Sequence, residues 1–130
     1  MATIFTKIIN RELPAYIVAE DEQHIAFLDI NPVAKGHCLV VPKQEVDYIF
    51  DLSNDALAGL MQFAKKVAAG LEKAVPCKRI GVSVIGLEVP HTHVHLVPLQ
   101  TMSDINFSKP KLFPSEEEIA ELANKIKQEI

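Results

Sequence analysis

The chain has 130 residues, 48% of them hydrophobic, no Trp and a formal net charge of -4. That length and apolar content suit one compact domain able to bury a core without cross-links, and the acidic balance offers no broad basic face for a nucleic-acid polymer. No apolar run is long enough to span a bilayer and residues 1–10 carry no secretory apolar segment, so a cytoplasmic protein with no membrane partner is expected.

Thr3 is placed to cap a short helix running to about Asn10, with Phe5 and Ile8 on its apolar face. Residues 16–20 and 25–28 read as two strands joined by the polar segment 21–24, a hairpin pattern. The turn formers Asn31, Pro32 and Gly36 then deliver the chain to a third strand at 37–41, closed by Pro42, with His37 at its mouth. Ser53 starts the longest helix, in which Leu57, Leu60, Met61, Ala64, Val67, Ala68 and Leu71 recur at the spacing of one buried face until Pro76 ends it. Residues 79–85 give a fourth strand, and 86–90 turn into a fifth at 91–98. The stretch 100–114 is polar and irregular. Ser115 and Glu118 then form a capping box ahead of Ile119, Leu122, Ala123 and Ile126, the stripe of a C-terminal amphipathic helix. The acidic run 116–118 suits the positive end of that helix.

These elements sum to an α+β domain: a five-stranded antiparallel sheet with meander-like connections, a long central helix, a short N-terminal helix and a C-terminal helix. Residues 1–98 make its core and 99–130 an extension of the same domain. Cys38 and Cys77 have no CxxC spacing and read as reduced thiols, neither a candidate nucleophile.

The chemistry of the chain is concentrated in the fifth strand, where His91, His93 and His95 occupy alternate positions and would share one face, with Thr92, Val94 and Leu96 on the other. Three readings fit such a row. A strand rises ~3.3 Å per residue, so adjacent histidines start ~6.6 Å apart and the outer pair ~13 Å apart; one zinc would take two of them and a third ligand from elsewhere, for which His37 is available. Histidines tolerated on a solvated face would leave the repeat unexplained. The third reading, a nucleophilic imidazole in an anion site, uses all three. Neutral His93 attacks phosphorus while a carbonyl holds its other nitrogen, and its neighbours stabilise the phosphoryl oxygens as imidazolium or N–H donors, one of them protonating the leaving group.

The run His91-Thr92-His93-Val94-His95-Leu96-Val97 resembles the signature of the histidine triad nucleotide hydrolases and transferases, His-x-His-x-His followed by mostly apolar residues. Ile4-Phe5-Thr6-Lys7-Ile8-Ile9, Ala26-Phe27-Leu28-Asp29-Ile30-Asn31-Pro32 and Gly36-His37-Cys38-Leu39-Val40-Val41-Pro42-Lys43 extend the likeness over about residues 3–98. It is similar above all to the purine-nucleoside phosphoramidase branch, whose members are small homodimers. The resemblance implies that His93 attacks an α-phosphate to give a nucleotidyl-histidine, held by the carbonyl of His91. It implies further that His95 meets phosphate and leaving group, with His37 supporting the cluster. By the same likeness Asp29 accepts from the ribose hydroxyls, and Phe5, Ile8, Leu13, Phe27 and Ile30 wall the purine base.

Two departures shape the expectation. Many microbial relatives hold zinc through an N-terminal Cys-x-x-Cys and a His after the Pro-Lys of the third strand, where this chain has Thr3, Thr6 and Glu45, so no structural zinc and no cofactor are expected. The loop before the triad, usually longer and rich in polar donors, is Gly86-Leu87-Glu88-Val89-Pro90, with Glu88 as a solvated loop residue or a catalytic one. The expected function is a nucleotide hydrolase acting on a purine nucleoside phosphoramidate or related AMP-like substrate. A dinucleoside polyphosphate hydrolase and a nucleotide-binding regulatory module with little catalysis are the alternatives.

Overall fold

A computed structural model describes residues 2–130. Helix α1 (Ile4–Ile9) opens the chain, capped by the Thr3 side chain, which accepts from the Thr6 amide. Strands β1 (Ile17–Glu20), β2 (His24–Leu28) and β3 (Cys38–Pro42) follow as an antiparallel meander, with a bulge in β1 between Ile17 and Ala19. A 3₁₀ turn (Ile49–Asp51) leads to α2 (Asn54–Ala74), capped by Ser53 as its position predicts. Strands β4 (Arg79–Ser83) and β5 (Val94–Leu99), a second 3₁₀ turn (Met102–Ile105) and α3 (Glu116–Glu129) with its Ser115–Glu118 capping box complete the chain. The five-stranded antiparallel sheet has the order β1-β2-β3-β5-β4. The meander therefore holds through β3, after which α2 carries the chain to the outer edge and β5 fills the gap between β3 and β4.

Alternation along the central strands divides the core in two. Ala26, Leu28, Cys38, Val40, Val94 and Leu96 face α2 and α3 in one large apolar cluster, joined by Ile119, Ala123 and Ile126 of α3. Ile25, Phe27, Leu39 and Val41 point the other way and pack against Phe5 and Ile8 of α1. With both faces covered, β2 and β3 are buried at every residue. Being short, α1 covers only part of its face and leaves a cleft beside it. No helix among the described residues is long and apolar enough to cross a membrane.

The fifth strand begins later than its sequence suggests. Pairing with β3 starts at Val40↔Val94, so His91, Thr92 and His93 precede the ladder. Both the amide and the hydroxyl of Thr92 donate to the Val46 carbonyl, and the His91 ring takes the Pro42 carbonyl. These bonds hold residues 91–93 as a fixed bend. The third strand likewise starts at Cys38 and keeps Pro42, and the fourth ends at Ser83.

Candidate functional site

The site forms where α1, the end of β2, the start of β3 and the bend before β5 meet. All four histidines expected there are buried, with relative exposures of 0% for His91, 2% for His37, 7% for His93 and 8% for His95, which removes the solvated-face reading. Their hydrogen bonds fix which nitrogen of each ring carries the proton in its neutral form, because every carbonyl partner can only accept and every amide can only donate.

Two chains of such bonds converge. In the first, the Val33 amide donates to Nδ1 of His37 (3.2 Å), so His37 carries its proton on Nε2 and donates it to Nδ1 of His95 (2.9 Å). Nε2–H of His95 is then left as a free donor. In the second, Nε2–H of His91 donates to the Pro42 carbonyl (2.8 Å), and its Nδ1 accepts from the Thr3 hydroxyl (2.8 Å). The His91 carbonyl accepts from Nδ1–H of His93 (2.7 Å), which turns the lone pair on His93 Nε2 outward. The His93 and His95 rings meet edge to face at 4.8 Å, and Phe5 packs against His93 at 4.9 Å.

Burial dominates the electrostatics. It holds His37 down at about 3 and His95 at about 4, with mutual repulsion among the rings adding to the effect, and it lowers His91 as well. His37 and His95 are therefore neutral at pH 7, and of the two expected ways of stabilising a phosphoryl group only the N–H donor remains. Asp29 moves the opposite way: burial raises its carboxyl against a bond from the Asn31 amide and the field of Lys111. Its Oδ1 accepts from that amide (2.9 Å), so Asp29 does close the Asn31–Pro32 turn, while Oδ2 lies 3.8 Å from His37, too far for a hydrogen bond and facing a neutral ring.

Phe5, Ile8, Leu13, Phe27, Asp29, Ile30, His93 and His95 line one cleft of about 360 Å³. His37 and His91 stand behind it. Ile4, Leu39, Glu88 and Val89 also line it, and Glu88 is exposed at the rim, close enough to act on Asp29. A neighbouring hollow of about 360 Å³ beneath Leu112 and Phe113 shares Leu28 and Asp29 with it and has His37 in its wall, but contains neither His93 nor His95, so the chemistry belongs to the first cleft.

At Thr3, Thr6 and Glu45, the positions that the resemblance compares with a zinc site, hydroxyls and a carboxylate form a hydrogen-bonded lock. The Thr6 hydroxyl donates to Glu45 (2.6 Å), the Thr3 amide donates to the same oxygen (2.9 Å), and Thr3 reaches His91. This set does not fit zinc, which favours thiolate and imidazole donors, and the described residues contain no cluster of three His, Cys, Asp or Glu placed for a metal. In the sequence these three residues stand out only for what they lack. Their role in orienting His91 emerges from the tertiary structure, as do Phe107 and Lys111 of the 100–114 stretch, where the Phe107 ring packs on His95 (4.6 Å) and His37 (5.7 Å). Two phenylalanines in a polar segment, Phe107 and Phe113, were the available signal.

The family model described as the HIT domain matches residues 10–102. An uncharacterized HIT-like protein of Methanocaldococcus jannaschii is 42% identical over 99 residues, covering 73% of this chain and 77% of that one. An adenosine 5′-monophosphoramidase of Schizosaccharomyces pombe is 33% identical over 133 residues, covering 100% of this chain and 99% of its own. In structure, a HIT-like protein from Bartonella henselae, described as involved in cell-cycle regulation and holding an unknown ligand, superposes with a TM-score of 0.85 at 30% identity, covering 98% of this chain and 96% of that one.

Proposed function

The chain belongs to the HIT, or histidine triad, family, and on that premise we propose that it hydrolyses a purine nucleoside 5′-phosphoramidate or related nucleotide at the α-phosphate, through a covalent nucleotidyl-histidine on His93. The observation that carries this reading is the pair of hydrogen-bond chains, which leaves one free lone pair, on His93 Nε2, beside one free donor, His95 Nε2–H, at the edge of an apolar cleft.

The steps follow from those atoms. His93 Nε2 attacks phosphorus, forming the P–N bond to the ring as the bond to the leaving nitrogen breaks. His95 donates to a phosphoryl oxygen as negative charge builds there. The neutral His37–His95 pair has no proton to spare, so the departing amine takes one from solvent. Water then attacks phosphorus, the bond to His93 breaks, and the nucleoside monophosphate leaves. Asp29 Oδ2 accepts from the ribose hydroxyls, Phe5, Ile8, Leu13, Phe27 and Ile30 hold the base, and Glu88 stays in solvent at the rim. No metal or other cofactor enters these steps.

The whole chain acts as one domain, in the cytoplasm, as a homodimer. In support of the dimer, β4 is an outer strand with an unpaired edge, Val82 on it is 54% exposed, and Val84, Ile85, Leu87, Tyr48 and Phe50 continue an apolar surface beside it. Both cysteines are free thiols, as a reducing compartment requires.

His93→Asn tests the central claim. Turnover of an adenosine phosphoramidate should fall on the order of 10⁴-fold, as for other disabled nucleophiles, with AMP affinity and folding retained. Mass spectrometry of acid-quenched wild type should find the nucleotidyl adduct on His93. More than about a tenth of wild-type activity in the variant would remove His93 from the nucleophile's role.

A further inference from the structure

The cleft has an electrostatic imbalance. Its two buried flanking imidazoles are neutral, and its ionisable neighbours at the ribose end and rim, Asp29 and Glu88, are both acidic. A nucleotide phosphate entering such a site needs a cation, since a like-charged, partly desolvated pairing costs binding energy.

One lysine, outside the lining of the cleft itself, stands close enough for its field to reach the cleft's Asp29 and His95. After β5 the chain doubles back over the site: Phe107 covers the His95 and His37 rings, and the Leu112 amide donates to the Pro32 carbonyl, tying the strap to the turn that carries His37. Between these two anchors stands Lys111. It is half-buried, and its Nζ donates to the Phe107 carbonyl (2.6 Å) and lies 5.7 Å from the centre of the Phe107 ring. No carboxylate among the described residues pairs with it, in contrast to Lys43 with Glu20 and Lys109 with Asp104. Two of its three N–H donors are left over. Its field reaches Asp29, His37 and His95 together, moving each toward the form that a nearby positive charge favours. Both Phe107 and Lys111 lie beyond residue 102, outside the part of the chain matched by the HIT domain model.

We propose that Lys111, held over the triad by the Phe107–Leu112 strap, is the phosphate-binding cation of this site, so that the C-terminal extension completes the nucleotide pocket. The inference rests on the nucleotide reading above and adds to it the group that recognises the anion. Binding of adenosine and of AMP to wild type, Lys111→Gln and Lys111→Arg, by calorimetry at two salt concentrations, tests it. Lys111→Gln should lose roughly 10-fold in AMP affinity, the range of one charge-assisted contact, with adenosine affinity changed less than about twofold. Lys111→Arg should keep most of the AMP affinity, and added salt should weaken AMP binding to wild type more than to Lys111→Gln. Equal AMP affinity in wild type and Lys111→Gln overturns the role of Lys111 while leaving the nucleotide reading intact. Parallel losses for adenosine and AMP also overturn it, since they indicate a strap that merely packs. Failure of the wild type to bind either ligand overturns the nucleotide reading itself, and this inference with it.

Discussion

An imidazole attacks phosphorus only from the nitrogen that lacks a proton, so the protonation of each ring is decisive at the residue scale. Here it is set by neighbours that cannot change role: the carbonyls of Pro42 and His91 and the amide of Val33. The same burial that makes those bonds count makes stability depend on pH. His37 and His95 titrate near 3 and 4 in the folded chain and near 6.5 when unfolded, so below about 6.5 the unfolded state binds more protons. Their contribution is whole above that value and is lost as pH falls from 6.5 toward 4 for His95 and toward 3 for His37. His91 moves in the same sense, and the raised carboxyl of Asp29 opposes them in the acid range. Urea unfolding at pH 7 and pH 5 should show a loss of about 4 kcal/mol, because each of the two neutral rings forfeits roughly 1.4 kcal/mol for every pH step below 6.5. Equal midpoints at the two values would count against neutral, buried rings. For Asp29 the expected effect is specific to the sugar. Asp29→Ala should weaken AMP binding by about 1.5 to 3 kcal/mol, roughly 10- to 150-fold, and 2′,3′-dideoxy-AMP should bind the two proteins nearly alike. Because Oδ1 also closes a turn, some loss of stability accompanies the change, and the double cycle separates it from the proposed ribose contact. Equal losses for both ligands would confine Asp29 to the turn.

At the scale of elements, α1 is more than a lid on the apolar cleft. Its N-cap residue accepts from the Thr6 amide through the same hydroxyl that donates to His91, so the start of a helix and the orientation of a histidine 88 positions away share one oxygen. Thr3→Val should therefore do two things. Loss of the cap should cost about 1 kcal/mol of stability, and release of the His91 ring should lower kcat with little change in KM, because the carbonyl that orients His93 loses its anchor. Thr3→Ser, which keeps the hydroxyl, should restore both. A Thr3→Val enzyme with wild-type kcat would detach the cap from the chemistry. Gly36 does comparable work for His37: at φ +89 it takes the turn that L side chains avoid, and a Cβ there would stand 3.0 Å from Pro98, so this close approach of turn to β5 requires glycine.

For the whole molecule, the β4 edge of the sheet is the feature with consequences beyond one chain. An exposed apolar strand edge such as β4 favours pairing with another copy. Val82→Lys, which puts a charge on that edge without touching the cleft, should shift the protein from dimer to monomer in sedimentation at micromolar concentration. A wild type that sediments as a monomer would refute the dimer directly.

How much of this the sequence held follows from the range of the interactions concerned. Ser53, Ser115–Glu118 and the apolar stripes of α2 and α3 were legible because capping and amphipathicity are settled within a few residues. The triad was legible as a motif, and the likeness picked out Asp29 and the apolar residues that line the cleft with His93 and His95. The late start of β5 was not, since nothing local says that the Pro42 carbonyl goes to a histidine ring and the Val46 carbonyl to Thr92. Nor were the sheet order and the Thr3–His91 lock, which join segments far apart in the chain. The stretch 100–114 reads as loop because its residues satisfy no periodicity, yet Phe107 and Lys111 take their positions from contacts with β5 and the 31–36 turn. Short-range hydrogen bonding and hydrophobic period set the elements and presented the histidines; long-range packing and burial chose the protonation of each ring, the partner of each carbonyl and the place of Lys111 beside them.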